Sequence, residues 1–381
     1  MIFRILEDQF AQKSQASKEA DRRFMELALT LGRRGLGRTS PNPAVGAVVV
    51  KDGVIVGRGW TQAGGRPHAE PEALKRAGEA ARGATLYVTL EPCSHFGKSP
   101  PCADAIIAAG ISRVVASIED PNPEVAGQGF AKLRAAGIAV DIGLGAAEAT
   151  HDHVGHIRRI RDKRPHVILK LAASADDKIA AAGHRPIDIT GDIAKTRVHL
   201  LRAQSDAILI GIGTVLADDP LLTCRLPGME ARSPVRVVLD RALRIPGSSR
   251  LMHSARQTPL WVMTSETAEA AAAARLGAAG AQVIRVHGAA GGLDLPAVLH
   301  NLSVRGITRL MVEGGARVAS SFVAAGLVDE VWLLRGLATV GADGVSALDA
   351  MPLGVITQSP AFKVRASETL GNDTLTIYER A

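Results

Sequence analysis

Short β-branched runs alternate with segments of helical spacing along almost the whole chain, and this alternation limits the folds open to it. "AVGAVVVKDGVIVGRGW" sets two β-branched runs around Asp52-Gly53, a strong tight-hairpin signal. Next, "HAEPEALKRAGEAARG" reads as a helix closed by Gly83, "ATLYVTL" as a buried strand and "CADAIIAAG" as a helix. "RVVASI", "VAGQGFAKLRAAG" and "IAVDIG" continue as strand, helix, strand. Before them, Phe24, Leu27, Ala28 and Leu31 recur at helical spacing, stopped by Gly35 and Gly37 and preceded by a polar tail over 1–19. Residues 20–150 are therefore predicted to form an α/β/α sandwich around a largely parallel sheet.

A basic stretch over 151–165, containing "HIRRIRDKRP", is predicted to be a linker on a solvated face. "HVILKLAAS" then opens a second α/β series over 166–381. Ala194, Val198 and Leu201 make one stripe of a helix over 192–205, and "AILIGIG", "VRVVLD", "LWVMTS", "AQVIRV" and "RLMVEGG" read as strands. "FKVRASE" and "DTLTIYE" flank Gly371-Asn372 as a final hairpin. Two domains suit 381 residues at roughly 150 per domain.

Composition narrows the partners. No apolar run approaches the ~18 residues of a membrane span, and the N-terminus lacks the pattern of a secretory signal, so a soluble cytoplasmic protein is expected. Lys and Arg number 45 against 38 Asp and Glu, a formal charge of +7, but aromatics are only 3% of residues. That is poor for base stacking, so a small phosphorylated substrate is expected rather than nucleic acid. A symmetric homo-oligomer, a common state of soluble proteins, is expected.

In a reducing compartment, Cys93 and Cys102 of "EPCSHFGKSPPC" suit a metal or an inert core better than a disulfide. "PHAEPEAL" offers a third ligand, His68, with Glu70 two residues on. Residues two apart do not share a helix face, so both reach one site only if His68 sits just before the helix. Cys102, after Pro100-Pro101, should open the next helix, with Cys93 on the loop after the intervening strand. Taken singly, His68 fits a helix cap and each cysteine an ordinary buried thiol. Taken together, one His and two Cys leave a fourth position open, as in a catalytic zinc site, with Glu70 as proton shuttle. His-x-Glu followed by Pro-Cys marks zinc nucleobase deaminases, although their usual second half is Pro-Cys-x-x-Cys and here residues 94–101 intervene. The histidines of "HDHVGH" (His151, His153, His156) and the lone Cys224 lack such a framework.

The stretches "TSPNPAVGAVVVKDGVIVGRG", "PHAE", "TLEPCSHFGKSPPC" and "EDPNP" resemble the deaminase half of the bacterial bifunctional riboflavin-biosynthesis enzymes. In these, diaminohydroxyphosphoribosylaminopyrimidine deaminase is fused to 5-amino-6-(5-phosphoribosylamino)uracil reductase. The wide cysteine spacing belongs to that family's motif. The resemblance implies Zn2+ on His68, Cys93 and Cys102, proton transfer by Glu70, and substrate contacts from Asn42 and Lys98, with His95 nearby. The second half resembles the family's NADPH-dependent reductase, with a fold like dihydrofolate reductase, through "LKLAAS", "LRAQSDAILIGIGTVLADDPLLTCR" and "VEGGARVASSFVAAGLVDE". This implies that Ala172, Thr214, Asp218 and the run Gly315, Ala316, Arg317, Val318, Ala319, Ser320, Ser321 face the cofactor. By the same resemblance, Lys170, Arg202, Leu222, Arg225 and Glu313 face the substrate.

Three departures stand out: Asp176-Asp177 where the family has Asp-Gly, Pro186 and Asp188 where it has Ser-x-Trp before Ile-Thr, and Arg241 where serine is common. They predict an extra negative charge near a strand end and the loss of a substrate-contacting hydroxyl. The rival reading is a zinc nucleotide or tRNA deaminase with an idle C-terminal binding or oligomerisation module.

Overall fold

The computed structural model describes residues 2–97, 100–123, 125–185, 187–289, 291–349 and 351–381, without the side chains of 2–14, 16 and 184. The chain divides into two compact units, Met1–Asp162 and Lys163–Ala381.

The first unit opens with one long helix, α1 (Ile2–Arg33). The stretch read as a tail is therefore helical, as the lack of Gly or Pro before Gly32 allows. The hairpin β1 (Gly46–Lys51) and β2 (Val54–Trp60) turns at Asp52 and Gly53, both at positive φ. Then follow α2 (Ala69–Ala77), β3 (Thr85–Val88), α3 (Cys102–Ala108), β4 (Arg113–Ala116), α4 (Gln128–Ala135) and β5 (Ala139–Ile142). α2 stops short of Gly83, because Gly78 at φ 53° ends it first.

The sheet order is β2-β1-β3-β4-β5, and only β3, β4 and β5 run parallel. The expected largely parallel sheet is thus half parallel. The crossover through α2 makes β2 and β3 point the same way, but β1 lies between them and opposes both. Alternate residues serve opposite faces. Val48, Val50, Tyr87 and Val115 pack with Met25, Ala28 and Leu29 of α1. Ala47, Val49, Leu86, Val88 and Val114 pack with Ala73, Ile106, Phe130 and Leu133 of α2, α3 and α4. The fit is close: a Cβ at Gly59 of β2 would lie 2.1 Å from the Ala69 carbonyl oxygen, so glycine lets the start of α2 sit directly on the sheet. The stretch expected as a basic linker is largely helical, in α5 (Ala146–Asp152) and α6 (Val154–Arg161).

The second unit has a nine-stranded sheet in the order Gln282–Val286, Leu260–Ser265, Val235–Leu239, Ala207–Gly211, Arg309–Val312, His166–Ala173, Glu330–Arg335, Asp373–Arg380, Phe362–Leu370. Its first seven strands are parallel and the last two antiparallel. Both faces carry a core, which explains the near-continuous apolar runs. The terminal hairpin forms as the sequence predicts. Strand Glu330–Arg335, absent from the pattern reading, is central and pairs with His166–Ala173 and Asp373–Arg380. Its apolar run is only four residues long, Val331 to Leu334, between the charged Glu330 and Arg335.

Candidate functional site

His68 is the residue before α2, extended at φ −68° and ψ 168°, and Glu70 lies in the first turn. That break between extended and helical backbone lets both side chains reach the same two cysteines. Cys102 opens α3, and Cys93 stands on the loop after β3. Cys93 also caps α3: its Sγ accepts the Cys102 N–H at 3.3 Å and its carbonyl the Ala103 N–H at 3.1 Å.

His68 Nδ1 lies 3.8 Å from Cys93 Sγ and 3.4 Å from Cys102 Sγ. Zinc at about 2.3 Å from sulfur and 2.1 Å from nitrogen, with tetrahedral angles, sets neighbouring donors about 3.6 Å apart. The observed separations bracket that edge, and all three donor atoms lie within 4.8 Å of one another, so this set fits the ion. The Cys102 thiol beside Cys93, aided by His68, lowers the Cys93 thiol to about 4 against the opposing effect of burial. Cys102 is pushed up by Cys93 and by burial. Glu70 is 3% exposed, and burial raises its carboxyl to about 7 although His68 opposes the shift.

Around this centre, the half-buried Asn42 donates its amide to the Gly65 carbonyl at 2.7 Å, tying it to the segment that leads into His68. Lys98 lies outside the described residues. The pattern reading missed Glu91, whose buried carboxylate accepts the N–H groups of Asp120, Gly127 and Gly129 at 3.1, 2.9 and 2.8 Å. It fixes the "EDPNP" loop beside the cysteine loop. An acid between a buried strand and Pro-Cys was the available signal. Of the other histidines, His153 is buried against Thr89 Oγ1 at 3.1 Å, and burial lowers it to about 3. Burial likewise lowers His156 to about 4. Cys224 is buried, with its N–H on Ser233 Oγ at 3.1 Å.

In the second unit three of the expected substrate residues, Lys170, Arg202 and Glu313, are bonded to one another. Glu313 follows Arg309–Val312. It accepts Lys170 Nζ at 3.2 Å and is forked by Arg202, Nε at 3.0 Å and Nη2 at 2.9 Å. Burial would raise the Glu313 carboxyl, but Arg202 and Lys170 outweigh it and hold the group at about 2. Arg202 Nη1 also donates to the Thr223 carbonyl at 3.1 Å, between buried Leu222 and exposed Arg225.

On the expected cofactor side, Thr214 Oγ1 accepts the Gly315 N–H at 3.1 Å, joining helices Ile212–Asp218 and Ala316–Ala324 at their starts. A helix cannot turn seven consecutive side chains to one ligand. Ala319 is wholly buried, Ala316 is buried, and the buried Ser320 hydroxyl accepts the Asp349 N–H at 2.7 Å. Val318 packs against Gly211 and Gly314, leaving Arg317 and Ser321 exposed. Ala172 and Thr214 are half-buried and Asp218 is exposed.

Asp177 takes φ 62°, the conformation its glycine counterpart would favour, and its carboxylate accepts Arg335 Nη1 at 2.6 Å. The extra charge expected there is paired. Asp176 accepts the Ser174 hydroxyl at 2.6 Å and the Gly341 N–H at 2.8 Å. Asp188 is exposed beside Lys195 at 2.8 Å, Arg241 is exposed, and Pro186 lies outside the described residues.

Residues 18–118 match the cytidine and deoxycytidylate deaminase zinc-binding region, and residues 165–376 the RibD C-terminal domain. The chain is 41% identical over 365 residues to the riboflavin biosynthesis protein RibD of Aquifex aeolicus, covering 95% of this chain and 99% of that one. Its fold is similar to that of Acinetobacter baumannii RibD, with a TM-score of 0.85 and 35% identity over 95% of this chain and 99% of the other. A diaminohydroxyphosphoribosylaminopyrimidine deaminase/5-amino-6-(5-phosphoribosylamino)uracil reductase from Thermotoga maritima gives a TM-score of 0.83 at 37% identity, again over 95% and 99%. Among the described residues no helix is long and apolar enough to cross a membrane.

Proposed function

The chain belongs to the RibD family, bifunctional deaminase–reductases of riboflavin biosynthesis, and from that premise we propose its substrate and the work of its residues. The substrate is a phosphoribosylaminopyrimidine bearing a ring amino group. The first unit replaces that amino group with oxygen, and the second reduces the ribosyl group to ribityl with NADPH.

His68 Nδ1 and the thiolates of Cys93 and Cys102 would hold zinc, which would supply an acidified water for replacement of the ring amino group. Glu70 carries the protons: buried against Cys102 and raised to about 7, it can accept one from water and return one to the departing nitrogen near neutral pH. Asn42 donates one amide N–H to Gly65 and turns its carboxamide toward the ring.

Bound NADPH would supply the hydride, with the backbone at the start of helix Ala316–Ala324 beside its phosphates. Lys170 and Arg202 are fixed by their bonds to Glu313, so they orient the substrate's hydroxyl and phosphate groups without rearranging. Arg225, exposed on the neighbouring loop, takes the phosphate. This ordered cluster favours a working reductase over an idle module.

The convergence of one imidazole and two thiols on a buried carboxylate carries the deaminase reading. Mass spectrometry of the diaminopyrimidine substrate tests the whole. We expect exchange of an amino group for oxygen, then gain of two hydrogens only when NADPH is present. Deamination that survives removal of the metal would overturn the first step.

A further inference from the structure

The loop over 219–225 carries two residues in left-handed backbone that are not glycine, Asp219 at φ 40° and Leu222 at φ 58°, and Leu222 is buried. Such backbone persists only where its surroundings over-determine it. Here they do. Asp219 Oδ1 accepts the Arg250 N–H at 2.8 Å, and the fully buried Arg236 donates to the Leu221 carbonyl at 3.4 Å. Arg202 Nη1 donates to the Thr223 carbonyl at 3.1 Å, and the Cys224 N–H donates to Ser233 Oγ at 3.1 Å. The last clamp is His199, whose Nδ1 accepts the Arg225 N–H at 3.3 Å.

His199 stands three residues before Arg202 on helix Asp192–Ala203, so one face of that helix offers both side chains to the loop. Acceptance at Nδ1 requires a neutral ring with its proton on Nε2. Burial, together with Arg202 and Arg225, lowers His199 to about 4, so the ring is neutral at physiological pH.

We infer that His199 is a positioning residue of the reductase: by accepting the Arg225 N–H it sets the direction in which Arg225 meets the substrate's phosphate. This rests on the reading of Arg225 as a phosphate ligand given above.

The test uses the full-length, zinc-loaded protein, NADPH, and the deaminated substrate with and without its phosphate. Asn is the conservative variant, because its Oδ1 falls near the position of Nδ1. His199→Leu removes the acceptor, and His199→Ala replaces it if the leucine variant is unstable. His199→Leu is expected to raise KM for the phosphorylated substrate about tenfold, with kcat within about twofold and His199→Asn within about threefold of wild type. KM for the dephosphorylated substrate and the deaminase step stay unchanged. Wild-type KM in His199→Leu, equal impairment in His199→Asn, or an equal rise with the dephosphorylated substrate overturns the inference. Arg225→Ala separates the two readings. If it leaves KM unchanged, the phosphate reading falls and the role of His199 with it; if it raises KM while His199→Leu does not, only the role of His199 falls.

Discussion

His68, Glu70, Cys93 and Cys102 come from two strand-to-helix connections of one small sheet, whereas Lys170, Arg202 and Glu313 come from a strand, a helix and the end of another strand. The first site is assembled by local backbone: an extended residue before one helix and a cysteine opening the next. The second is assembled by charge, one half-buried carboxylate holding two cations that would otherwise repel each other. Sites of the first kind fail by losing a ligand. Sites of the second kind fail by losing balance, and the cost then falls on stability as well as on chemistry.

Cutting the metal centre should separate the two halves most completely. His68→Ala or Cys93→Ala is expected to abolish bound zinc and deamination while reduction of the deaminated substrate continues, read by metal analysis and mass spectrometry. Parallel loss of both steps would mean that the sites are not independent. Next in size, Glu70→Gln should keep the zinc but slow deamination by roughly 10²–10⁴, the usual contribution of a general acid–base. Loss of metal in that variant would make Glu70 part of the zinc site rather than a proton carrier.

In the second unit, Glu313→Gln leaves Lys170 and Arg202 half-buried without their counter-charge. The expected loss is about 3 kcal/mol of stability together with the reduction step, followed by thermal unfolding and NADPH oxidation. pH gives an independent check. Because Glu313 is held at about 2, below the ordinary carboxylate range near 4.3, its stabilisation is complete above that range and is lost as pH falls toward 2. Wild type and Glu313→Gln should therefore converge in unfolding temperature between about pH 4 and 2. A gap that stays constant with pH would assign the loss to packing. The smallest effect belongs to Asp177→Gly. Glycine relieves the left-handed backbone but gives up a half-exposed pair with Arg335, so stability should change by less than about 1 kcal/mol and reduction not at all. A marked gain in reduction would show that the aspartate does impair the pocket.

The two sites were unequally legible in the chain. Pro-His-x-Glu-Pro and Pro-Pro-Cys mark helix starts, so the placement of His68 and Cys102 followed from local propensity. Cys93 was legible as the residue after a buried strand. The hairpins at Asp52-Gly53 and Gly371-Asn372 were legible because few residue pairs tolerate those turns. Strand order was not: β1 between β2 and β3, and Glu330–Arg335 at the centre of the second sheet, are long-range pairings without a local signal. Nor was the division of 315–321, since a continuous motif conceals which turn of the helix faces the core. The resemblance pointed to Lys170, Arg202 and Glu313 as residues but could not show that they bond to one another.

By itself the sequence determined the alternation of strands and helices, the two hairpins and the placement of His68 and Cys102 at helix starts, because each depends on neighbours a few residues apart. Tertiary structure decided which strands are adjacent, that Glu91 fastens one loop to another, that Arg335 answers Asp177, and that Glu313 holds Lys170 and Arg202 in place. These depend on burial and on Coulomb interactions between residues distant in the chain, and both acquire their strength only when folding removes water from around the charges.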